Sequence, residues 1–125
     1  MDASFADREA RTAGDLIFES NKFLPELQKA ARQDLRWEAV AAFDSSKNLV
    51  DTCLRYLDII QKRGGHDARY IEFIKNQLQL AKDRKDVVLG SLLNPSLERT
   101  KATALINGTI ALAERILKDA ETSLS

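Results

Sequence analysis

Apolar residues recur every three or four positions along nearly the whole chain, and two clusters of breaker residues interrupt that rhythm most sharply. These are Arg63-Gly64-Gly65-His66 and Asn94-Pro95-Ser96. A period near 3.6 places one stripe of residues along a helix, whereas a half-buried strand needs alternation. The chain is therefore constrained to helices, with glycine and proline marking where they end. Gly and Pro number only five and two, too few for the many tight turns of an all-β design.

Four helical segments follow. The first runs from about Ser4 to Arg32, with Ala13, Leu16, Ile17, Leu24, Leu27 and Ala31 at helical spacing. Pro25 lies inside it and is expected to kink or break it near Phe23–Leu24, because proline removes one hydrogen bond and crowds the preceding turn. The second begins at Asp34, read as an N-cap, and continues to about Lys62 on two apolar stripes. One stripe carries Val40, Phe43, Val50, Leu54 and Leu57, and the other Ala42, Leu49, Cys53, Tyr56 and Ile60. The third starts after Asp67 and reaches about Leu93 through Ile71, Ile74, Leu78, Ala81, Val88 and Leu92. Asn94 can cap the fourth, and Pro95 suits the first helical position. That last segment runs to about Glu121 with Ile106, Ile110, Ala113, Leu117, Ala120 and Leu124 on one face. Short connections force antiparallel neighbours, so the expected fold is all-α: one domain over residues 1–125, an elongated up-down bundle of four helices.

The charges exclude several functions. Nineteen basic and nineteen acidic residues balance, and no basic face of the kind a nucleic-acid binder needs is visible. No stretch reaches the roughly 20 apolar residues of a membrane span. The first residues lack the cationic start and apolar run of a secretory leader. A lone Cys53 makes no internal disulfide and suits a reducing cytoplasm.

Catalytic chemistry finds little material. His66 is the only histidine, and its place in a Gly-Gly turn reads as a solvated helix end. Arg63 precedes it too closely for the Arg…His motif of HEPN-type ribonucleases. Cys53 lies between Leu49 and Tyr56 on an apolar stripe, as a buried structural thiol would. Metal sites in bundles use Glu-x-x-His pairs, and none occurs. Asp83 and Asp86 lie among Lys82, Arg84 and Lys85, a self-compensating surface. Gly64-Gly65 lacks the Lys-Ser/Thr of a phosphate loop. The residues imply no enzyme, cofactor or metal.

What the sequence has in excess is apolar surface. Leu105, Leu112 and Ile116 make a second line on the fourth helix, beside the Ile106–Leu124 seam. Val87-Val88-Leu89 fan over about 200° of the third helix, with Leu92 continuing the surplus. The candidate partner-binding surface is therefore Val87, Val88, Leu92, Leu105, Leu112 and Ile116, receiving an amphipathic helix of a protein client. Gly108 would permit close approach of another helix. Trp37, in the first turn after a tight connection, is expected to pack against a neighbouring helix end.

The run Asp34-Leu35-Arg36-Trp37-Glu38-Ala39-Val40, continuing through Phe43-Asp44 to Val50-Asp51, resembles the FliT family of flagellar export chaperones. Ile71-Glu72-Phe73-Ile74 through Arg84-Lys85 is similar to that family's next helix. The resemblance spans roughly Leu27 to Leu93. It implies a cytoplasmic chaperone that sequesters the helical end of a filament-cap protein before export and contacts the export apparatus or a flagellar transcription regulator. It also implies a last helix that shields the client surface. An alternative resemblance, to the three-helix MIT adaptor domain, rests on Gln28-Lys29-Ala30-Ala31, Glu38–Phe43 and Lys82-Asp83-Arg84. A purely structural reading also stands, in which the wide stripes close a homodimer.

Overall fold

The computed structural model describes residues 3–34, 37–91 and 97–124. They form α1 (Ala3–Asp34), α2 (Trp37–Arg63), α3 (Ala68–Ser91) and α4 (Leu97–Leu124), the expected four-helix architecture. With 32 residues at 1.5 Å each, α1 is about 48 Å long. It runs through Pro25 as one helix rather than breaking there, with that residue exposed. Asp34 closes α1 instead of capping α2.

Side-chain pairings fix the topology. Gln61 near the end of α2 bonds Asp7 near the start of α1, and late Arg84 of α3 donates to the Ala41 carbonyl of early α2 at 3.2 Å. Lys101 at the start of α4 reaches Glu26 of α1, while Arg115 near its end binds Glu9 at 3.1 Å. Each pairing joins an early stretch to a late one, so neighbours are antiparallel in an up-down-up-down bundle. Among the described residues α2 and α4 also touch across the centre, whereas α1 and α3 lie apart at opposite corners.

That rhombic arrangement explains the burial. At 100° per residue, the buried positions of α3 (Ile71, Ile74, Leu78, Ala81) fill a sector of only about 80°. On α2 they spread from Thr52 round to Phe43, about 180°, and on α4 from Leu112 to Ile110, about 160°. A corner helix meets two neighbours and a helix on the short diagonal meets three. Both stripes of α2 and both lines of α4 therefore belong to one core.

Local chemistry supports the ends and the seams. Gly64 has φ 74°, and its N–H donates to the Ile60 carbonyl at 2.7 Å, a left-handed cap that favours glycine. Asp67 caps α3: its Oδ1 accepts the Arg69 N–H at 2.9 Å. That bond first, with the nearby Arg69 side chain, holds the carboxyl below its ordinary range. The cap's contribution is thus full at neutral pH and is lost as acid titrates through the lowered value. Buried Ser46, Thr52 and Thr109 donate to carbonyls one turn earlier, so their hydroxyls carry no unmet bond.

Two helical glycines contrast. Gly108 faces Leu16, whose Cδ2 would sit 3.0 Å from an added Cβ, so α1 and α4 do approach closely here. Gly14 of α1 is exposed, with nothing within 4 Å of such a Cβ. Gly14→Ala is therefore expected to stabilise the protein by about 0.5–1 kcal/mol, because alanine loses less backbone freedom in a helix. A melting temperature raised by roughly 2–4 °C would be its signature, and an unchanged or lowered one would show that α1 is not helical at this point.

Candidate functional site

The surface expected from sequence is not assembled. Leu112 and Ile116 are fully buried in the core, a correction that follows from α4 having three neighbours instead of two. Leu105 is half-buried and lines a separate hollow of about 340 Å³ between α1 and α4, beside Phe23 and Lys101. Val87 and Val88 belong to α3, but their side chains, and Leu92 altogether, lie outside the described residues.

Exposed apolar side chains gather elsewhere. Of the four large hydrophobic residues found exposed among the described ones, three lie on α2 and α3: Trp37 (55% exposed), Phe73 (50%) and Leu80 (39%). Trp37 does not pack away as expected. It falls within about 20° of Asn48 and Arg55 on α2, a line that leaves the core and faces α3. On α3, Phe73 and Leu80 are seven residues apart, again on one line and well outside the Ile71–Ala81 seam.

Between these two lines runs a groove. Its wider part, about 510 Å³, is lined by Thr52, Arg55, Asp67, Arg69, Tyr70 and Phe73. A second part of about 300 Å³ continues from it, sharing Thr52, Arg55 and Phe73 and adding Asn48, Asp51 and Gln77. The groove's α2 lining runs from Asn48 to Arg55, about 10 Å, and Trp37 lies about 27 Å from Arg55 along the same helix line, five turns away. Nearer the start of α2, Arg84 of α3 crosses to bond Ala41 and Ser45. Arg55 makes no ion pair among the described residues, so its charge stands open beside the Phe73 ring.

A distinct polar cluster sits at the end of the bundle. The His66 ring is only 4% exposed, so the solvated helix-end reading is corrected. Its Nδ1 bonds the buried Tyr56 hydroxyl, and its Nε2 lies 3.6 Å from Asp119 Oδ2 of α4. Tyr70 stacks on Tyr56 with ring centres 6.2 Å apart. Burial first, then Asp119 and Asp67, push the Tyr56 phenol upward, so it stays protonated. Cys53 is buried as expected, and burial pushes its thiol up to about 12, far from a reactive thiolate.

Among the described residues, no three His, Cys, Asp or Glu side chains gather as a metal site would require. No described helix is long and apolar enough to cross a membrane. No family model matches the chain, nor does any curated protein or solved structure.

Proposed function

We propose that the chain is a non-enzymatic protein-binding module that takes an amphipathic helix of a client on the face shared by α2 and α3. The observation that carries this reading is a groove between α2 and α3 lined by exposed Phe73, with exposed Trp37 and Leu80 on the same two helices outside its lining. Aromatic and arginine side chains dominate binding energy at protein interfaces, and this face supplies two aromatics with open Arg55 beside Phe73. A partner helix of about five turns would span it. The resemblance to flagellar export chaperones covers these same two helices. The biological role that fits is therefore a cytoplasmic export chaperone sequestering a helix of a filament-cap-type client.

Phe73→Asp combined with Leu80→Asp tests the face, because both residues are well exposed and lie outside the core. The variant is expected to melt within a few degrees of the parent. Its affinity for a fluorescent peptide from the helical end of a filament-cap protein should fall at least tenfold, about 1.4 kcal/mol. Unchanged affinity would remove the face from the interface, and no binding by the parent would remove the flagellar client. Light scattering that shows a dimer lost in the same variant would make the face a homodimer seam instead.

A further inference from the structure

We propose that Tyr56, His66 and Asp119 form a protonation-controlled latch, which holds the end of α4 to the α2–α3 turn more tightly when the imidazole is charged. The cluster joins three parts of the chain: Tyr56 lies in α2, His66 follows the Gly64-Gly65 cap, and Asp119 lies in the last turns of α4. This inference is independent of any client.

Hydrogen-bond accounting sets the starting state. The Asp119 carboxylate can only accept, so in the neutral cluster the imidazole proton is placed on the Nε2 that faces it, and Nδ1 accepts from the Tyr56 hydroxyl. That N–H faces Asp119 Oδ2 across 3.6 Å, too long for a hydrogen bond. Both atoms are buried, and neither has another partner. A buried donor and acceptor left facing each other without bonding are costly.

A second proton changes the arrangement. Nδ1–H then donates to the Tyr56 oxygen, since a hydroxyl accepts as readily as it donates. Nε2–H becomes a cationic donor to a carboxylate, and such bonds are shorter and roughly twice as strong as neutral ones. Asp119 is partly exposed and has room to close the gap.

Two carboxylates stand near the cluster. From α4 comes Asp119, and from the start of α3 come Asp67 and the Tyr70 ring, with Arg69 on Asp67 but 91% exposed. Both carboxylates act on Tyr56, against which the His66 ring lies at 5.7 Å. On α1, at the same end of the bundle, Asp7 is held by Gln61 and Glu9 by Arg115. On α2, Lys62 is paired with Asp58, and Arg63 is exposed. The sign follows from linkage. The charged bond to Asp119 exists only when α4 is docked, so the proposed latch tightens at lower pH and its gain is lost as pH rises.

Amide hydrogen exchange of residues 112–124 in the full chain tests this at about pH 5.5 and pH 8, which bracket ordinary histidine titration. After correction for intrinsic rates, protection is expected to be at least about fivefold greater at the lower pH. The difference should vanish in His66→Gln and in Asp119→Asn. Protection that is equal at both pH values, or a pH effect that survives in both variants, overturns the latch. Imidazole nitrogen shifts of the unmodified protein give a second readout should a variant fail to fold. At pH 8 they should show the proton on Nε2, and a proton on Nδ1 would overturn the proposal.

Discussion

Leu112→Asp is expected to abolish cooperative folding, whereas Leu117→Ala should leave a folded protein of lower stability. Leu112 is fully enclosed, on the side of α4 that a one-stripe reading would turn outward. Aspartate there forfeits the leucine's burial and places a carboxylate inside the core. Unpaired buried charge is among the few single changes that cost about 5 kcal/mol or more. A domain of this size has about 5–15 kcal/mol in all. Leu117 lies nearer the edge of the core, and its truncation leaves a cavity costing about 2–5 kcal/mol. Circular dichroism melts of the two variants decide the matter. If Leu112→Asp melted within a few degrees of the parent, the second line of α4 would be surface, and the short diagonal between α2 and α4 would be wrong.

The helices were legible because periodicity and breakers are local. Gly64 ends α2 by a conformation glycine favours, and Asp67 opens α3 by bonding the amide two residues on. What a single helix cannot report is how many neighbours it has. The sequence displayed the wide apolar sectors of α2 and α4, but a wide sector follows equally from a third packed helix or a client surface. The bundle resolves the ambiguity by placing both helices on its short diagonal.

The groove was partly legible. Phe73 and Leu80 lie off the Ile71–Leu78 seam at a spacing of seven, and Trp37 shares a line with polar Asn48 and Arg55. Those registers point away from the core, and weighing them would have placed Trp37 on the surface. His66 was hidden for another reason. Its partner Asp119 lies 53 positions later, on a helix brought back only by the up-down fold. Nothing in the Gly-Gly turn signals a buried ring.

The five phenylalanines offer the sharpest comparison, because one truncation can be read in different surroundings. Phe43→Ala is expected to cost about 3–5 kcal/mol, the usual range for an enclosed aromatic ring. Phe43 is 1% exposed and meets Phe23 edge to face, with centroids 6.0 Å apart at 77°. That pairing adds about 0.5–1.5 kcal/mol beyond burial, so Phe23→Ala should be partly non-additive with it. Phe18→Ala on α1, where the ring is 67% exposed, should stay within about 0.5 kcal/mol of the parent. Phe73→Ala should also leave stability nearly unchanged, while weakening client binding if the α2–α3 face is the interface. Urea titrations of the four single variants and of the Phe23/Phe43 double variant supply every quantity needed. If Phe43→Ala were as mild as Phe18→Ala, the α1–α2 seam could not be packed through these rings. The antiparallel register of the first two helices would then have to shift.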